Sequence, residues 1–168
     1  MGKMANLGKG FEEEVKVANK QYFNKRVAII QQIPTPWKVI RKGKKIVHAF
    51  PEGKSTLDFR GTVKGGLSIS FDCKETKVEK GLPLSNIAEH QISYMRNAIE
   101  FGEVSFVLCN ITSINKRYFV DGKTVIKKWD EWKENKGKRG YNFIPVLDMI
   151  EIKSRNGIVL DYLAPIRG

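Results

Sequence analysis

The stretch STLDFRGTVKGGLSISFDCKETK, residues 55–77, settles the architecture of this chain. Two runs of strand-like composition, Leu57 to Val63 and Leu67 to Lys74, flank the turn-forming triplet Lys64-Gly65-Gly66. In the second run Leu67, Ile69, Phe71 and Cys73 alternate with Ser68, Ser70, Asp72 and Lys74. On an extended backbone the first set shares one face and the second set the other. In the first run Leu57 and Phe59 are expected on one side, with Asp58 and Arg60 on the other. Pairing through the glycine turn brings Asp58 toward Asp72, and Lys74 projects beside Asp72 roughly 7 Å along the strand. Charges carried on buried strands are costly unless they are paired or bind a metal, so these three residues need a reason.

Two readings compete. Asp72 can simply pair with Lys74 or Arg60 on a salt-bridged strand, which is what a bare D-x-K pattern most often means. Alternatively, Asp58 and Asp72 repel one another until a cation joins them. The chain holds only two histidines, His48 and His90, and neither lies beside these strands in sequence. An all-oxygen donor set suits Mg2+, with Mn2+ as a substitute. Such an ion neutralises charge on a phosphate and activates a water, which a neighbouring lysine ammonium can position or deprotonate. That arrangement cleaves phosphodiesters. The rest of the composition favours it over the ion pair.

Lys plus Arg exceed Asp plus Glu by 30 − 18 = 12, a charge that points to a polyanionic partner, usually nucleic acid. At 168 residues and 41% hydrophobic composition the chain is expected to form a single domain, residues 1–168. No apolar run approaches the roughly 20 residues of a membrane span, and MGKMANLGKG lacks an apolar signal core. The expected setting is the cytoplasm, with no membrane partner. Cys73 and Cys109, each inside an apolar run without ligand spacing, read as buried thiols in a reducing compartment.

Helical spacing of Phe11, Val15, Ala18 and Tyr22 predicts a first helix over Leu7 to Asn24, with Asn6 as its N-cap and Glu12 to Glu14 in its first turn. A strand over Val27 to Ile33 ends at Pro34 and Pro36. The segment PWKVIRKGKKIVHAFPEG then sets Val39-Ile40 and Ile46-Val47 around Gly43, with Lys38, Arg41, Lys42, Lys44 and Lys45 nearby. It predicts a β-hairpin arm with a cationic tip suited to phosphate contact. A second helix is expected over Asn86 to Phe101, stopped by Gly102, and Val104 to Ile111 reads as a central strand. A short strand over Arg117 to Val120 and a helix over Val125 to Asn135, presenting Trp129 and Trp132, complete a mixed α/β sheet. The fragments GKST at Gly53 and GKT at Gly122 lack the earlier glycine of a phosphate-binding loop, since His48 and Arg117 stand there.

The blocks GKGFEEEVKVANK, IPTPWKVI, STLDFRGTVKGG, FDCKETK, PLSNIAEHQISYM and FVLCNI, in this order, resemble the RecU family of Holliday-junction resolvases, within the PD-(D/E)xK nuclease superfamily. The resemblance spans about Gly8 to Ile111. It implies a restriction-endonuclease-like mixed β-sheet core flanked by helices, with a projecting basic stalk over residues 34–53. It implies a Mg2+-dependent endonuclease that resolves four-way DNA junctions by paired nicks, working as a homodimer. Asp58 and Asp72 match the metal carboxylates, Lys74 the catalytic lysine, Glu12 a further metal or water ligand with Glu13 and Glu14 as adjacent alternatives, and Gln91 an orienting residue. Lys38, Arg41, Lys42, Lys44, Lys45, Arg60 and Lys77 are the residues expected to meet DNA. Two departures stand out: Asp72 replaces an expected Glu, placing the carboxylate about one bond shorter, and the stalk is short. Trp129, Trp132 and the apolar stripe of the first helix are candidate dimer contacts.

Overall fold

Phe11, Val15, Ala18 and Tyr22, all but inaccessible to solvent, form the core-facing stripe of α1 (Gly2–Asn24). The computed structural model describes residues 2–53 and 56–167, with side chains described from residue 10 onward; Met1, Lys54, Ser55 and Gly168 lie outside the described residues. The helix begins five residues before the expected Leu7, because Met4, Ala5 and Leu7 are good helix formers. Asn6 is therefore inside it rather than its cap, and Glu12 to Glu14 sit beyond its first turn.

Strand β1 (Ala28–Gln32) leads to the arm, β2 (Trp37–Lys42) and β3 (Lys45–Pro51), which pair antiparallel as a separate two-stranded sheet. Strands β4 (Phe59–Val63) and β5 (Leu67–Thr76) follow, paired antiparallel from Val63↔Leu67 to Phe59↔Phe71. Gly65 and Gly66 have φ of +100° and +97° at the turn between them, backbone that a Cβ disfavours. Next come β6 (Gly81–Pro83), a 3-10 turn over Leu84–Asn86, and α2 (Glu89–Glu100). The α-helix starts later than expected because Ile87 is extended and buried, which leaves Ala88 as the cap. The chain continues through β7 (Val104–Ile111), β8 (Lys116–Asp121), α3 (Gly122–Glu134), β9 (Phe143–Pro145), β10 (Ile150–Ile152) and α4 (Ala164–Arg167).

The main sheet has the order β1-β4-β5-β7-β8-β10, with β5 and β7 parallel and its other neighbours antiparallel. It is the expected mixed α/β core flanked by helices, with a projecting basic hairpin. The sheet separates two apolar layers. On one side Phe59, Phe71, Phe106 and Phe119 pack with α1 and the C-terminal segment; on the other Val107, Cys109 and Val120 pack with α2 and α3. The four phenylalanines form a row across β4, β5, β7 and β8, with successive centroids 5.0, 4.8 and 4.7 Å apart. Such contacts add roughly 0.5–1.5 kcal/mol per pair beyond area burial.

Alternation fails at one expected place. Leu57 and Phe59 were expected on the same face, yet Leu57 packs in the α2/α3 layer and Phe59 in the α1 layer. The strand begins only at Phe59, and the bend at Asp58 carries the preceding residue to the opposite layer. Trp129 is buried in its own chain's core, as is the α1 stripe. No helix among the described residues is long and apolar enough to cross a membrane.

The C-terminal segment is tied to α1 by a buried polar network. Tyr22 donates its hydroxyl proton to Asp161 Oδ1 at 2.7 Å and accepts from the Leu163 N–H at 3.0 Å. Arg167 donates to both Asp161 oxygens at 2.6 and 2.8 Å, while Tyr162 bonds to Asn19. Burial, aided by Asp161, holds the Tyr22 phenol well above its ordinary pKa, so it stays a donor. Tyr22→Phe should lower unfolding free energy by about 1–3 kcal/mol, because Asp161 and the Leu163 N–H each lose a buried partner. Urea unfolding followed by circular dichroism measures this; an unchanged midpoint would show the network to be energetically idle.

Candidate active site

The register that pairs Phe59 with Phe71 makes Asp58 and Asp72 the next opposed residues. Asp72 is 2% exposed. Its Oδ1 accepts from the Asp58 backbone N–H at 3.3 Å, and Asp58 Oδ2 accepts from the Cys73 N–H at 3.2 Å. Each strand's backbone thus grips the other strand's carboxylate. Lys74 Nζ stands 2.8 Å from Asp72 Oδ2, and Gln91 Nε2 donates to the same oxygen at 3.1 Å. Gln91 lies at the start of α2, where its Oε1 accepts the Ala88 N–H at 3.1 Å. With the amide oxygen taken by the helix end, the NH2 can only face Asp72. The sequence-expected roles of Asp58, Asp72, Lys74 and Gln91 therefore fall on residues that the fold brings together.

Electrostatics are unbalanced at Asp58. Lys74 is committed to Asp72, Arg60 is drawn to Glu103 at 3.4 Å, and among the described residues no basic group forms an ion pair with Asp58. Burial first, then the adjoining Asp72 carboxylate, push the Asp58 carboxyl from its ordinary 3.8 up to about 7. A single positive charge on Lys74 does not neutralise two carboxylates. An oxygen-binding cation does, so the donor set fits a hard divalent ion.

The three adjacent acids of α1 are separated by their partners. Glu13 pairs with Lys16 at 3.0 Å, and Glu14 with Arg117 at 3.1 Å. Glu12 accepts from Gln32 Nε2 at 3.3 Å, and its charge contributes to the upward push on Asp58. Of the three, Glu12 is the one turned toward the site, but it does not join the Asp58–Asp72 pair. Among the described residues no three His, Cys, Asp or Glu side chains form a ready metal cage. Glu75, next to Lys74, falls on the opposite strand face and is held by Asn110 Nδ2 at 2.9 Å. Cys109 is buried, and its thiol is pushed up to about 12, which makes it inert.

The expected DNA contacts divide into two groups. Lys38, Arg41, Lys42, Lys44 and Lys45 all lie on the exposed arm and form no ion pair among the described residues. Arg60 is exposed on β4 though tethered to Glu103, and Lys77 is exposed just past β5. The sequence reading missed Lys80, Lys138 and Arg139, which meet in one cavity. The run KGKRG at 136–140, basic residues between turn-forming glycines, was the available signal.

A mixed α/β sheet with opposed carboxylates on neighbouring strands, and a lysine two residues past the second, defines a D…D-x-K protein. The chain belongs to the RecU family: the family model described as Recombination protein U matches residues 6–168, including the C-terminal third. Among its curated relatives is the Holliday junction resolvase RecU of Oenococcus oeni, 34% identical over 166 residues that cover 95% of this chain and 84% of that protein. The protein of the same name from Leuconostoc mesenteroides is 33% identical over 147 residues, covering 84% and 70% respectively. A solved structure of a Holliday junction resolvase from Archaeoglobus fulgidus also aligns over 70% of this chain and 74% of that one, at 13% identity and a TM-score of 0.43.

The Asp58 shift has a definite sign. In the folded, metal-free protein its proton is held up to a pKa of about 7, against 3.8 ordinarily. The stability it contributes is therefore complete below about pH 4 and lost as pH rises through about 7. The stability difference between the parent and Asp58→Asn, measured by urea unfolding in chelator, should fall across that window and level off above it. A difference that rises with pH would reverse the assignment.

Proposed function

We propose that this protein is a divalent-metal-dependent endonuclease that resolves four-way DNA junctions, the activity that its relatives' names carry. The observation that supports this most is the in-register Asp58–Asp72 pair with Lys74 two residues beyond. Asp58 and Asp72, with Glu12 alongside, would hold Mg2+ (or Mn2+ in its place), which when bound supplies charge neutralisation at a phosphate and a water of lowered pKa. Lys74 is placed to orient the attacking water or to neutralise charge that develops as the P–O bond breaks. Gln91 and the Asp58 and Cys73 backbone N–H groups keep both carboxylates in a fixed rotation, so neither must reorganise during the reaction. The cytoplasm is the place of action this reading implies.

The 2.8 Å contact of Lys74 with Asp72 favours one rival, a basic DNA-binding accessory in which the charges form only an ion pair. Cleavage separates the two. With Mg2+, the parent should nick a labelled four-way junction in preference to linear duplex. Asp58→Asn and Asp72→Asn should lose roughly 10²–10³-fold or more in rate while still binding, and Lys74→Ala should lose turnover more than affinity. Near-normal turnover in both aspartate variants would remove the metal-site reading.

Resolution requires two opposed cuts, and one chain carries one Asp58–Asp72–Lys74 set, so we infer a two-fold homodimer. Trp129 and the α1 stripe no longer serve as its contacts, being buried within the chain. Val17 and Phe23 on the outer side of α1, with Ile29 on the edge strand β1, are exposed and apolar instead. In the same cleavage assay, labelling each junction strand in turn should reveal nicks at matched positions on opposing strands. Single-strand nicking only would leave a simpler nuclease.

The arm is where junction preference should reside. Trp37, Val39, Ile40, Ile46 and Val47 are exposed on it together with cations that form no ion pair among the described residues, so it offers both stacking surface and charge. Neutralising Arg41, Lys42, Lys44 and Lys45 should weaken junction binding more than duplex binding. The salt dependence should flatten by about 0.9 in slope for each phosphate the arm ceases to neutralise. Equal weakening on both DNAs would reduce the arm to a non-specific tether.

A further inference from the structure

Apart from the carboxylate cluster and the basic arm, the chain has a further cationic feature. A cavity of about 350 Å³ is lined by Lys80, Trp132, Lys138, Arg139 and Asn142, with Gly137 and Gly140 in its rim. None of its lining residues is acidic. Among the described residues Lys80, Lys138 and Arg139 make no ion pair, although the chain pairs cations with acids at several other places. Of the other cavities, two along β1 mix apolar walls with a few cations, and one near the C terminus contains Glu151 and Asp161. A further one, lined by Lys25, Arg26, Lys64 and Arg167, is also basic, but its Arg167 is held by Asp161 and its remaining walls are aliphatic.

The cavity is built rather than incidental. Strand β6 pairs with β9, and the Val146 N–H donates to the Lys80 carbonyl at 3.1 Å, which fixes the Lys80 backbone beside the C-terminal end of β9. The pairing is so close that a Cβ on Gly81 would stand 1.9 Å from the Ile144 carbonyl oxygen. The Leu84 N–H donates to the Asn142 carbonyl at 2.9 Å and ties down the C-terminal end of the 136–142 loop. Trp132 forms a wall, braced by an edge-on contact with Trp129, and the Lys133 ammonium lies 4.5 and 4.6 Å from their ring centres. Lys80 lies over Phe143 at 4.4 Å, so its ammonium faces a ring rather than a carboxylate. Its place along the chain matters too. Lys80 follows Lys74 by only six positions, a backbone reach of at most about 22 Å, or roughly six base pairs of duplex at 3.4 Å each.

We propose that this cavity takes backbone phosphates of the DNA arm that leaves the cut site, as an anchor separate from the projecting hairpin. The inference rests on the DNA-cleaving reading above for its choice of polyanion. Lys138 and Arg139 supply the charge, Lys80 the nearest link to the cutting centre, and the glycine-flanked loop lets backbone approach a phosphate closely.

The test compares parent with Lys138→Ala/Arg139→Ala, both changes lying on an exposed loop. A control, Lys153→Ala/Arg155→Ala, removes the same charge from another exposed loop. Binding to a four-way junction and to linear duplex is titrated with salt in chelator, which suspends cutting. The first double variant should lower the salt slope by about 1.8, two phosphates at roughly 0.9 each, on both DNAs. The control should change it little. Phosphate-ethylation interference should show a group of sensitive phosphates within about six base pairs of the cut, present for parent and missing for this variant alone. An unchanged slope and footprint, or an equal drop in the control, overturns the proposal. Failure of the nuclease reading would appear separately, as a parent that binds DNA but never cuts it with Mg2+.

Discussion

Four phenylalanines, Phe59, Phe71, Phe106 and Phe119, stack in a row across the sheet, and their spacing governs what can be built at its end. The row fixes which residue of β4 faces which residue of β5, and therefore fixes that Asp58 meets Asp72. A register slip of one residue would turn each side chain of the strand to the opposite face. The apolar layer would then lose its aromatic row, and the carboxylates would no longer oppose one another. Packing on one face of the sheet thus sets the chemistry at its end. This is why Phe71 and Asp72, adjacent in the chain, belong to different layers and to one device.

What the packing creates is an electrostatic deficit. Two carboxylates are held by backbone N–H groups of each other's strands, and a single lysine cannot balance both. The fold forces this repulsion because the aromatic row and the buried layers above and below outweigh it. Gln91 shows the same economy from the helical side: one amide caps α2 with its oxygen and steers Asp72 with its nitrogen. Site geometry and helix start are therefore the same set of bonds.

Much of this was legible in the sequence, and the failures have physical causes. Alternation in LSISFDCK assigned the faces of β5 correctly, because that strand is regular along its whole length. The same rule misplaced Leu57, because it holds only while the backbone stays extended and the strand starts at Phe59. Helical spacing found the buried stripe of α1 but not its beginning, since propensity past Asn6 outweighed the capping signal. Trp129 and Trp132 among lysines could have been surface or core; only the packing of α3 on the sheet placed Trp129 inside. The choice of Glu12 over its neighbours depended on distant partners, Lys16 aside, that no local pattern reveals. Lys80 and Arg139 are far apart in sequence and meet through the β6–β9 pairing, which is too short to announce itself.

The network that joins Tyr22 and Asn19 to Asp161, Tyr162 and Arg167 has a consequence for how the molecule comes into being. Its members are separated by about 140 positions in the chain. Helix α1 cannot finish burying its stripe until residues through Arg167 have left the ribosome. Until then Phe71 and Phe106, which both pack against Tyr162, remain partly uncovered. Such late closure of a long loop slows folding and prolongs exposure of sticky surface. The order of synthesis therefore makes the arrival of the Asp161–Arg167 segment the event that seals the aromatic layer, and with it the register of the strands that carry Asp58 and Asp72.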